Sequence, residues 1–338
     1  MKLALVGFGT VGQGLAELLR DRAADLRERY GFEAALVAVA TRRRGTLCAP
    51  AGLRPDALLQ AAARGSLEHY PDTLGLVRGL DVPALIRASG ADALVEASPT
   101  NLASGQPALD YCRAAFDAGL HVVLANKGPL ALAYDNLRAR AARAGRGLGF
   151  EATVMAGTPT LRLALDALAG CRVLAARGIL NGTTNYILTQ MEGGLPYADA
   201  LAQAQALGYA EADPTADVNG WDAASKALIL ARVVFGSPLT LADMAVQGIT
   251  ALTPADIEAA RAAGERWKLV AQVTPEGGSV GPLRLPLADP LAGVSGTINA
   301  VTYTTDLLGA VTLSGPGAGR LQTAFGLLAD LLHIHENS

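Results

Sequence analysis

The chain has 338 residues; 51% are hydrophobic, 17% charged and only 5% aromatic, so Ala, Leu and Val must build its core. No apolar run approaches the roughly 18 residues of a membrane span, and three cysteines without C-x-x-C spacing argue against a disulfide framework or a zinc site. The net charge is −3, and residues 1–150, with 18 Lys+Arg against 14 Asp+Glu, have a balance of +4, which suits a phosphate-bearing cofactor but is too weak to imply nucleic acid. We therefore expect a cytoplasmic protein without nucleic-acid or membrane partners.

The N-terminus reads as a strand, a glycine-rich turn and a helix. Residues 2–6 form a short apolar run, and G-F-G-T-V-G follows directly before a helical pattern. Glycines at these spacings permit a tight turn, close approach of a pyrophosphate and close helix–strand packing, although a purely structural turn is the alternative. The predicted cofactor-binding residues of this turn are Gly7, Phe8, Gly9, Thr10, Val11 and Gly12.

The second strand, residues 34–40, runs into a basic loop with the sequence T-R-R-R-G at residues 41–45. A cofactor without a 2′-phosphate usually meets a carboxylate here, whereas arginine holds phosphate bidentately. The loop therefore predicts a preference for NADP through Arg43, with NAD still possible. The alternative is a solvated basic loop.

Two further strands end in polar residues. Residues 92–98 form one strand, which places Ser98 and Thr100 at its carboxyl end, where α/β sheets bind ligands. Residues 121–128 form the next strand, whose end carries Asn126 and Lys127 and directs the lysine toward the cofactor crevice. The alternative is an ordinary loop lysine.

The middle of the chain alternates strands and helices. The pattern predicts a strand that carries Glu151, a helix over 160–170, and a strand, polar turn and helix over 178–188. The hydroxyls and amides at 181–185 suit a small polar substrate or serve as helix caps. Residues 294–314 alternate as strands, a last helix follows residues 314–320, and His333 and His335 are expected in a frayed tail.

The stretch 207–226 concentrates charge in a chain with few charges. Four carboxylates and one lysine lie between Glu211 and Lys226, and the chain keeps only four lysines against 24 arginines. Asp222 and Lys226 are four residues apart and share a helix face if both are helical. The alternative is a surface ion pair, with Asp213 as a turn or cap. Because no Ser/His/Asp set is visible and the cysteines lack a partner histidine, we expect this stretch to supply the chemistry.

The chain resembles the homoserine dehydrogenases over nearly its whole length. The 207–226 segment is the most specific of the motifs that carry the resemblance, and the glycine fingerprint is the least. These motifs are G-F-G-T-V-G, A-N-K at 125–127, E-A-T-V-M-A-G-T-P at 151–159, N-G-T-T-N-Y-I-L at 181–188, L-G-Y-A-E-A-D-P-T-A-D-V-N-G-W-D-A-A-S-K at 207–226 and G-P-G-A-G-R at 315–320.

The resemblance implies NAD(P)-dependent, reversible interconversion of L-homoserine and L-aspartate 4-semialdehyde, a step toward threonine, methionine and isoleucine. It implies Lys226 as proton donor, Asp222 as its partner and Lys127 at the meeting point of cofactor and substrate. It also implies substrate contacts by Glu211, Asp217 and Thr183, and a cofactor contact by Gly317. A monovalent cation, Na⁺ or K⁺, is implied at main-chain carbonyls of Glu151, Val154, Ala156 and Thr158.

The chain departs from the family pattern at two places. Ala216 stands where many relatives have a second aspartate, so the acidic cluster has one carboxylate fewer. The sequence also stops soon after the last helix, so we expect no C-terminal amino-acid-sensing domain.

The expected fold class is α/β, with a doubly wound Rossmann-type dinucleotide domain and an α+β substrate and dimerisation domain. The first domain is predicted at 1–149 with the C-terminal helix 317–338, and the second at 150–316. Strands near 150–158 and 296–313 are expected to form a homodimer interface, by resemblance. Two other functions stay open at this point: another NADP-dependent amino-acid or semialdehyde dehydrogenase, and an NADP-sensing regulatory protein.

Overall fold

The computed structural model describes residues 1–337 and divides into two compact units. The first unit contains Met1–Gly157 and the chain from Gly319 onward, and the second contains Thr158–Ala318. The second domain was predicted to start at residue 150, which lies within the first unit. The C-terminal segment predicted to rejoin the first domain starts at residue 317, which lies within the second unit. No helix among residues 1–337 is both long and apolar enough to cross a membrane.

The first unit contains the glycine turn, the basic loop and the C-terminal helix. Its strands are β1 (Lys2–Val6), β2 (Ala35–Ala40), β3 (Thr46–Cys48), β4 (Val77–Arg78), β5 (Ala93–Glu96), β6 (His121–Leu124) and β7 (Leu148–Gly149). Its helices are α1 (Thr10–Asp21), α2 (Ala23–Tyr30), α3 (Pro55–Ala63), α4 (Val82–Ala88), α5 (Ala108–Asp117), α6 (Lys127–Ala144) and, at the end of the chain, α13 (Arg320–Glu336).

These strands form one sheet in the order β4-β3-β2-β1-β5-β6-β7. The pairs from β2 through β7 are parallel, while β3 and β4 are antiparallel additions at one edge. Parallel strands read as continuous apolar runs because they are buried, as A-L-V-A-V-A in β2 is. Strand order reverses at β1, so its carboxyl end is the switch point where such sheets bind ligands. The predicted doubly wound Rossmann-type domain is confirmed.

Two local predictions in this unit were wrong. Strand β6 ends at Leu124, and Lys127 is the first residue of α6 because Asn126 caps that helix. Glu151 lies outside a strand, since β7 ends at Gly149 and a 3₁₀ turn follows. The segment 150–158 therefore supplies no interface strand.

The predicted frayed tail is also corrected. Helix α13 runs through both His333 and His335. His333 is exposed, but His335 is half-buried and its ring packs edge-on against Phe32, with ring centroids 5.3 Å apart. Because this ring contact anchors the last turn, α13 is continuous to Glu336.

The second unit is an α+β fold, as predicted. Its strands are β8 (Val173–Ile179), β9 (Ala245–Val246), β10 (Glu265–Val273), β11 (Gly278–Pro286), β12 (Ile298–Thr305) and β13 (Gly309–Pro316). Its helices are α7 (Thr160–Arg162, continued by a π turn to Ala167), α8 (Gly182–Glu192), α9 (Tyr197–Ala206), α10 (Thr215–Val218), α11 (Trp221–Phe235) and α12 (Pro254–Ala262).

The six strands pair in the order β13-β12-β8-β10-β11-β9. All pairs but β11–β9 are antiparallel, and β10–β11 and β12–β13 are hairpins. Helices α8, α11 and α12 pack on the central strands. The buried core of this sheet includes Ile179, Val270, Leu285 and Ala300. Strand β8 leads directly into α8, so the polar turn predicted at 181–185 lies at the start of a helix that rests on the sheet.

One carboxyl group is buried within the first sheet. Glu96, the last residue of β5, has no exposed surface. Its Oε1 accepts hydrogen bonds from the Ser98 amide (2.8 Å) and from Asn126 Nδ2 (3.4 Å). Burial nevertheless raises the pKa of Glu96 above its usual value, because desolvation of the carboxylate outweighs these hydrogen bonds.

We expect Glu96→Gln to remove a pH-dependent loss of stability. The folded-state pKa is raised, so folding binds a proton and wild-type stability falls as pH rises from the unfolded value of about 4.3 through the folded pKa. Thermal unfolding of both proteins between pH 4 and pH 8 measures this. The melting temperature of the glutamine variant, relative to wild type, should rise with pH. The same substitution at the exposed Glu28 is the control and should show no such trend. If the melting temperatures of Glu96→Gln and wild type differed by the same amount at every pH, the raised pKa of Glu96 would be contradicted.

Candidate active site

The glycine turn of the first unit has the geometry of a phosphate cradle. Gly7 has φ +97°, and a Cβ there would lie 2.4 Å from the backbone carbon of Ala97. A Cβ on Gly12 would lie 2.1 Å from the carbonyl oxygen of Gly7. By contrast, nothing lies within 4 Å of a Cβ built on Gly9. Two glycines thus allow close packing of strand and helix, and the third leaves open space at the N-terminus of α1, where free amides attract an anion.

The rest of the turn differs in exposure. Phe8 is buried and its carbonyl accepts a hydrogen bond from Gln13 Nε2 (3.1 Å), whereas Thr10 is exposed and Val11 is half-buried. The predicted cofactor role of Phe8 therefore rests on its backbone rather than on its side chain.

The basic loop lies beside this turn. The Gly7 amide donates to the carbonyl of Ala40, the last residue of β2 (2.9 Å). Thr41 Oγ1 closes the loop by accepting from the Arg44 amide (2.8 Å) and donating to the Gly45 carbonyl (2.9 Å). Arg43, between them, is exposed. The loop that carries Arg43 is thus closed by Thr41 and follows the strand that is bonded to Gly7.

Asn126 joins the two polar strand ends. Its Nδ2 donates to Ser98 Oγ (3.3 Å) and to the Pro99 carbonyl (3.4 Å), and its Oδ1 accepts from the Gly128 amide. The side chain therefore ties the loop after β5 to the start of α6, where Lys127 lies. Thr100 is exposed in the same loop.

Sequence reasoning missed both Asn126 and Glu96 as members of this site. The available signal was a carboxylate at the end of an otherwise apolar strand, together with an asparagine one residue before the predicted lysine.

The second unit brings the predicted chemical groups together. Lys226 Nζ lies 2.8 Å from Asp222 Oδ2 and donates to the carbonyl of Leu180 at 2.7 Å. Only 10% of the lysine side chain and 19% of the aspartate side chain are exposed. This ion pair is therefore part of the interior and not the surface pair that was the alternative.

Asn181 links this pair to a second carboxylate. Its Nδ2 donates to Asp217 Oδ1 (2.7 Å) and to Asp222 Oδ2 (2.9 Å), while its Oδ1 caps α8 through the Thr184 amide (2.9 Å). Of the two roles left open for the polar turn, this side chain shows the helix cap, and its nitrogen is bonded to the two carboxylates. Asn181 was predicted only as one of the polar residues at 181–185, because its two carboxylate partners are 36 and 41 residues away in the chain.

Local signals determine how the acidic stretch folds. Asp213 Oδ1 accepts from the Thr215 amide (3.1 Å), so Asp213 forms the predicted turn just before α10, whose N-cap is Pro214. Gly220 has φ +86°, a left-handed conformation that favours glycine and redirects the chain into α11. Helix α11 then places Asp222 and Lys226 one turn apart on one face.

The substrate residues implied by the resemblance differ in their surroundings. Thr183 is buried and its hydroxyl donates to the Tyr209 carbonyl (2.6 Å). Asp217 is half-buried, and burial followed by the charge of Asp222 raises its pKa above the usual value. Glu211 is exposed. A carboxylate with a raised pKa beside a second carboxylate is a favourable place for a bound cation such as an ammonium group.

Gly317 is also constrained by packing within the second unit. A Cβ at this position would lie 2.0 Å from Asn299 Nδ2, and the Asn299 side chain is fully buried. The side-chain amide of Asn299 therefore occupies the space that any larger residue at 317 would need.

The segment implied to hold a cation is buried. Glu151 is 2% exposed and its amide donates to Asp330 Oδ2 (2.8 Å). Ala156 has φ +53°, the one left-handed residue besides glycines within the described chain. In the second unit, Thr158 Oγ1 donates to the Pro316 carbonyl (2.9 Å). Residues 1–337 contain no group of three or more His, Cys, Asp or Glu side chains that could hold a metal ion.

Comparison with known proteins agrees with both units. A family profile described as "Homoserine dehydrogenase, NAD binding domain" matches residues 7–151, and one described as "Homoserine dehydrogenase" matches residues 159–332. The NAD(+)-dependent homoserine dehydrogenase of Pseudomonas canavaninivorans is 46% identical over 343 residues, covering 100% of this chain and 97% of that protein. The homoserine dehydrogenase of Methanocaldococcus jannaschii is 39% identical, covering 100% and 99%.

Solved structures give the same result. A hyperthermophilic archaeal homoserine dehydrogenase in complex with NADPH superposes with a TM-score of 0.86 at 32% identity, covering 100% of this chain and 98% of that one. A homoserine dehydrogenase from Thiobacillus denitrificans gives a TM-score of 0.84 at 32% identity, covering 100% and 74%. These matches favour neither of the two other functions left open by the sequence. The chain belongs to the homoserine dehydrogenase family, a family of NAD(P)-dependent oxidoreductases.

Proposed function

We propose that the chain reversibly reduces L-aspartate 4-semialdehyde to L-homoserine, with Lys226 as the proton donor. The observation that carries this proposal is the fixed lysine: two of its three N–H groups are directed at Asp222 and at the Leu180 carbonyl. The third N–H is then available to the aldehyde oxygen. The nicotinamide, when bound, supplies the hydride.

Lys226 stabilises the negative charge that grows on the aldehyde oxygen and transfers a proton to it. Asp222 orients the ammonium, and the Leu180 carbonyl fixes its direction from the other side. Because the pair is mostly excluded from water, its electrostatic effect on the oxygen is larger than on the surface. Lys127 is the second ammonium that we assign to the reaction, at the cofactor side.

Substrate recognition in this proposal uses the acidic cluster. Asp217 and Glu211 bind the substrate ammonium, and Thr183 is a further substrate contact. The raised pKa of Asp217 supports this role, since a bound cation would favour the ionised carboxylate.

We assign cofactor binding to the glycine turn, Ser98, Thr100, Lys127 and Gly317, and a preference for NADP to Arg43. The open space at Gly9 fits a pyrophosphate, and the exposed arginine loop fits a 2′-phosphate. One relative at 46% identity is named NAD(+)-dependent, so the preference needs a direct test.

Three further assignments complete the proposal. A monovalent cation binds main-chain carbonyls of Glu151, Val154, Ala156 and Thr158; the left-handed Ala156 supports this, because strained backbone often marks ligand sites. The chain forms a homodimer through its second unit, where β13 is an edge strand and Leu307 and Leu308 are 72% and 62% exposed. We place the enzyme in the cytoplasm.

We expect Lys226→Ala to lower kcat by about 10²–10⁴ because the proton donor is lost. The assay follows NADPH oxidation with aspartate semialdehyde, and thermal unfolding checks that the variant is folded. Lys268→Met is the matched control, since Lys268 is also a buried lysine of the second unit and pairs with Glu192 (3.3 Å) at the far end of α8. A fully active Lys226→Ala enzyme would sink the assignment of the proton donor.

We expect Arg43→Ala to raise the KM for NADPH much more than the KM for NADH, because only NADPH carries the phosphate that Arg43 binds. Steady-state kinetics with both cofactors at saturating semialdehyde measure this. Arg64→Ala, which removes an exposed arginine at the end of α3, is the control. Equal changes for both cofactors at position 43 would mean that Arg43 is only a surface residue.

A further inference from the structure

The side-chain amide of Asn181 faces two carboxylates at once. Its nitrogen lies 2.7 Å from Asp217 Oδ1 and 2.9 Å from Asp222 Oδ2, and the side chain is 4% exposed. The two hydrogen bonds span 36 and 41 residues of sequence, so they join α8 to α10 and α11. A single primary amide thus uses both of its N–H groups on charged acceptors.

This arrangement solves an electrostatic problem. The two carboxylates that accept from this nitrogen repel each other. Asp222 is stabilised by a cationic partner, Lys226, at hydrogen-bond distance. Without a donor between them, one carboxylate would turn away or take up a proton. Hydrogen bonds to charged groups are strong enough to prevent both changes.

The other half of the same side chain has a separate role. Asn181 Oδ1 accepts from the Thr184 amide and hydroxyl and so caps α8. The helix cap needs only an acceptor, whereas the bridge needs a donor. Because the two roles use different atoms, substitutions can remove one and keep the other.

We propose that Asn181 is a positioning residue that holds Asp217 and Asp222 side by side, which keeps Asp222 on Lys226 and keeps Asp217 in place for the substrate ammonium. This role rests on the proposed function of the cluster. Asn181 itself touches neither substrate nor cofactor in this assignment. It acts through the two carboxylates.

The charged groups around the bridge define what a pH experiment would report. Asp217 faces it from α10, and Asp222 and Lys226 face it from α11. At the opposite end of α8, Glu192 pairs with Lys268 of β10 and lies 3.8 Å from Arg266. The latter groups belong to a separate cluster at the other end of the helix.

Asn181→Asp is the sharpest test, because it keeps the size and the cap, and the helix N-terminus favours the new charge. It replaces the bridging donor with a third carboxylate. We expect kcat/KM for the semialdehyde to fall about 10- to 100-fold at pH 8, with the KM for NADPH unchanged. The deficit relative to wild type should shrink toward pH 6, since protonation of one carboxyl restores a donor.

Asn181→Ser is the second variant, which keeps a capping oxygen and removes the bridge without adding charge. It should also lose kcat/KM, with a higher semialdehyde KM and a lower kcat, and its pH profile should follow the wild type more closely than that of Asn181→Asp does. Asn219→Asp is the matched control, because it adds a carboxylate to the same acidic stretch outside the bridge. Folded Asn181 variants with wild-type kcat/KM and pH profile would overturn the proposal.

A carboxyl titration by NMR makes the test independent of turnover. Loss of the donor in Asn181→Ser should raise the pKa of Asp217 relative to wild type, because the hydrogen bond favours its charged form. An unchanged titration would overturn the positioning role. A wild-type enzyme that does not turn over aspartate semialdehyde would instead overturn the proposed function, while the titration still decides the role of Asn181.

Discussion

A lysine and an aspartate that are mostly removed from water need further hydrogen-bond partners in addition to each other. Transfer of both charges into the interior costs several kcal/mol per ion, and one Coulombic contact rarely offsets that cost. In the second unit the remaining partners come from the turn that precedes α8. The Leu180 carbonyl accepts from Lys226, and the Asn181 amide donates to Asp222. The beginning of α8 therefore has to lie against the beginning of α11, and the arrangement of this unit serves that requirement.

The second sheet holds the beginnings of α8 and α11 against each other. Helices α8 and α11 both pack on β10, the strand next to β8 in the second sheet. Strand β8 ends one residue before Leu180, so the turn that carries the polar groups is fixed by the sheet on one side and by a helix on the other. A site that rests on regular elements keeps its geometry better than one built on a loop.

Backbone sterics play the corresponding part in the first unit. A Cβ at Gly7 or Gly12 would lie well inside van der Waals contact with neighbouring backbone, so β1, β5 and α1 can pack this closely only with glycine there. The buried Glu96 and Asn126 then tie together the loops that follow β5 and β6. Steric constraint sets the phosphate cradle, and hydrogen bonds set the polar edge beside it.

Prediction from the sequence was most reliable where one signal decided the local structure. Apolar runs located β1, β2 and β5, and the spacing of Asp222 and Lys226 indicated a shared helix face. It was wrong where a predicted strand was extended past its apolar residues. The strand predicted at 121–128 ends at Leu124 because Asn126 caps a helix, and the strand predicted to carry Glu151 ends at Gly149, where a 3₁₀ turn follows. Hydrophobicity reports burial, and a buried helix start looks the same as a buried strand.

The sequence by itself determined β1, β2, β5, the glycine turn, the basic loop and the shared helix face of Lys226 and Asp222, because each depends on residues only a few positions apart. Tertiary structure alone decided that Asn181 bridges Asp217 and Asp222, that Leu180 receives Lys226 from 46 residues away, and that Glu96 is buried beside Asn126. These contacts depend on which helix packs on which strand. A side chain's preference for a donor or an acceptor is local, but the partner that satisfies it is supplied by packing between elements distant in the chain.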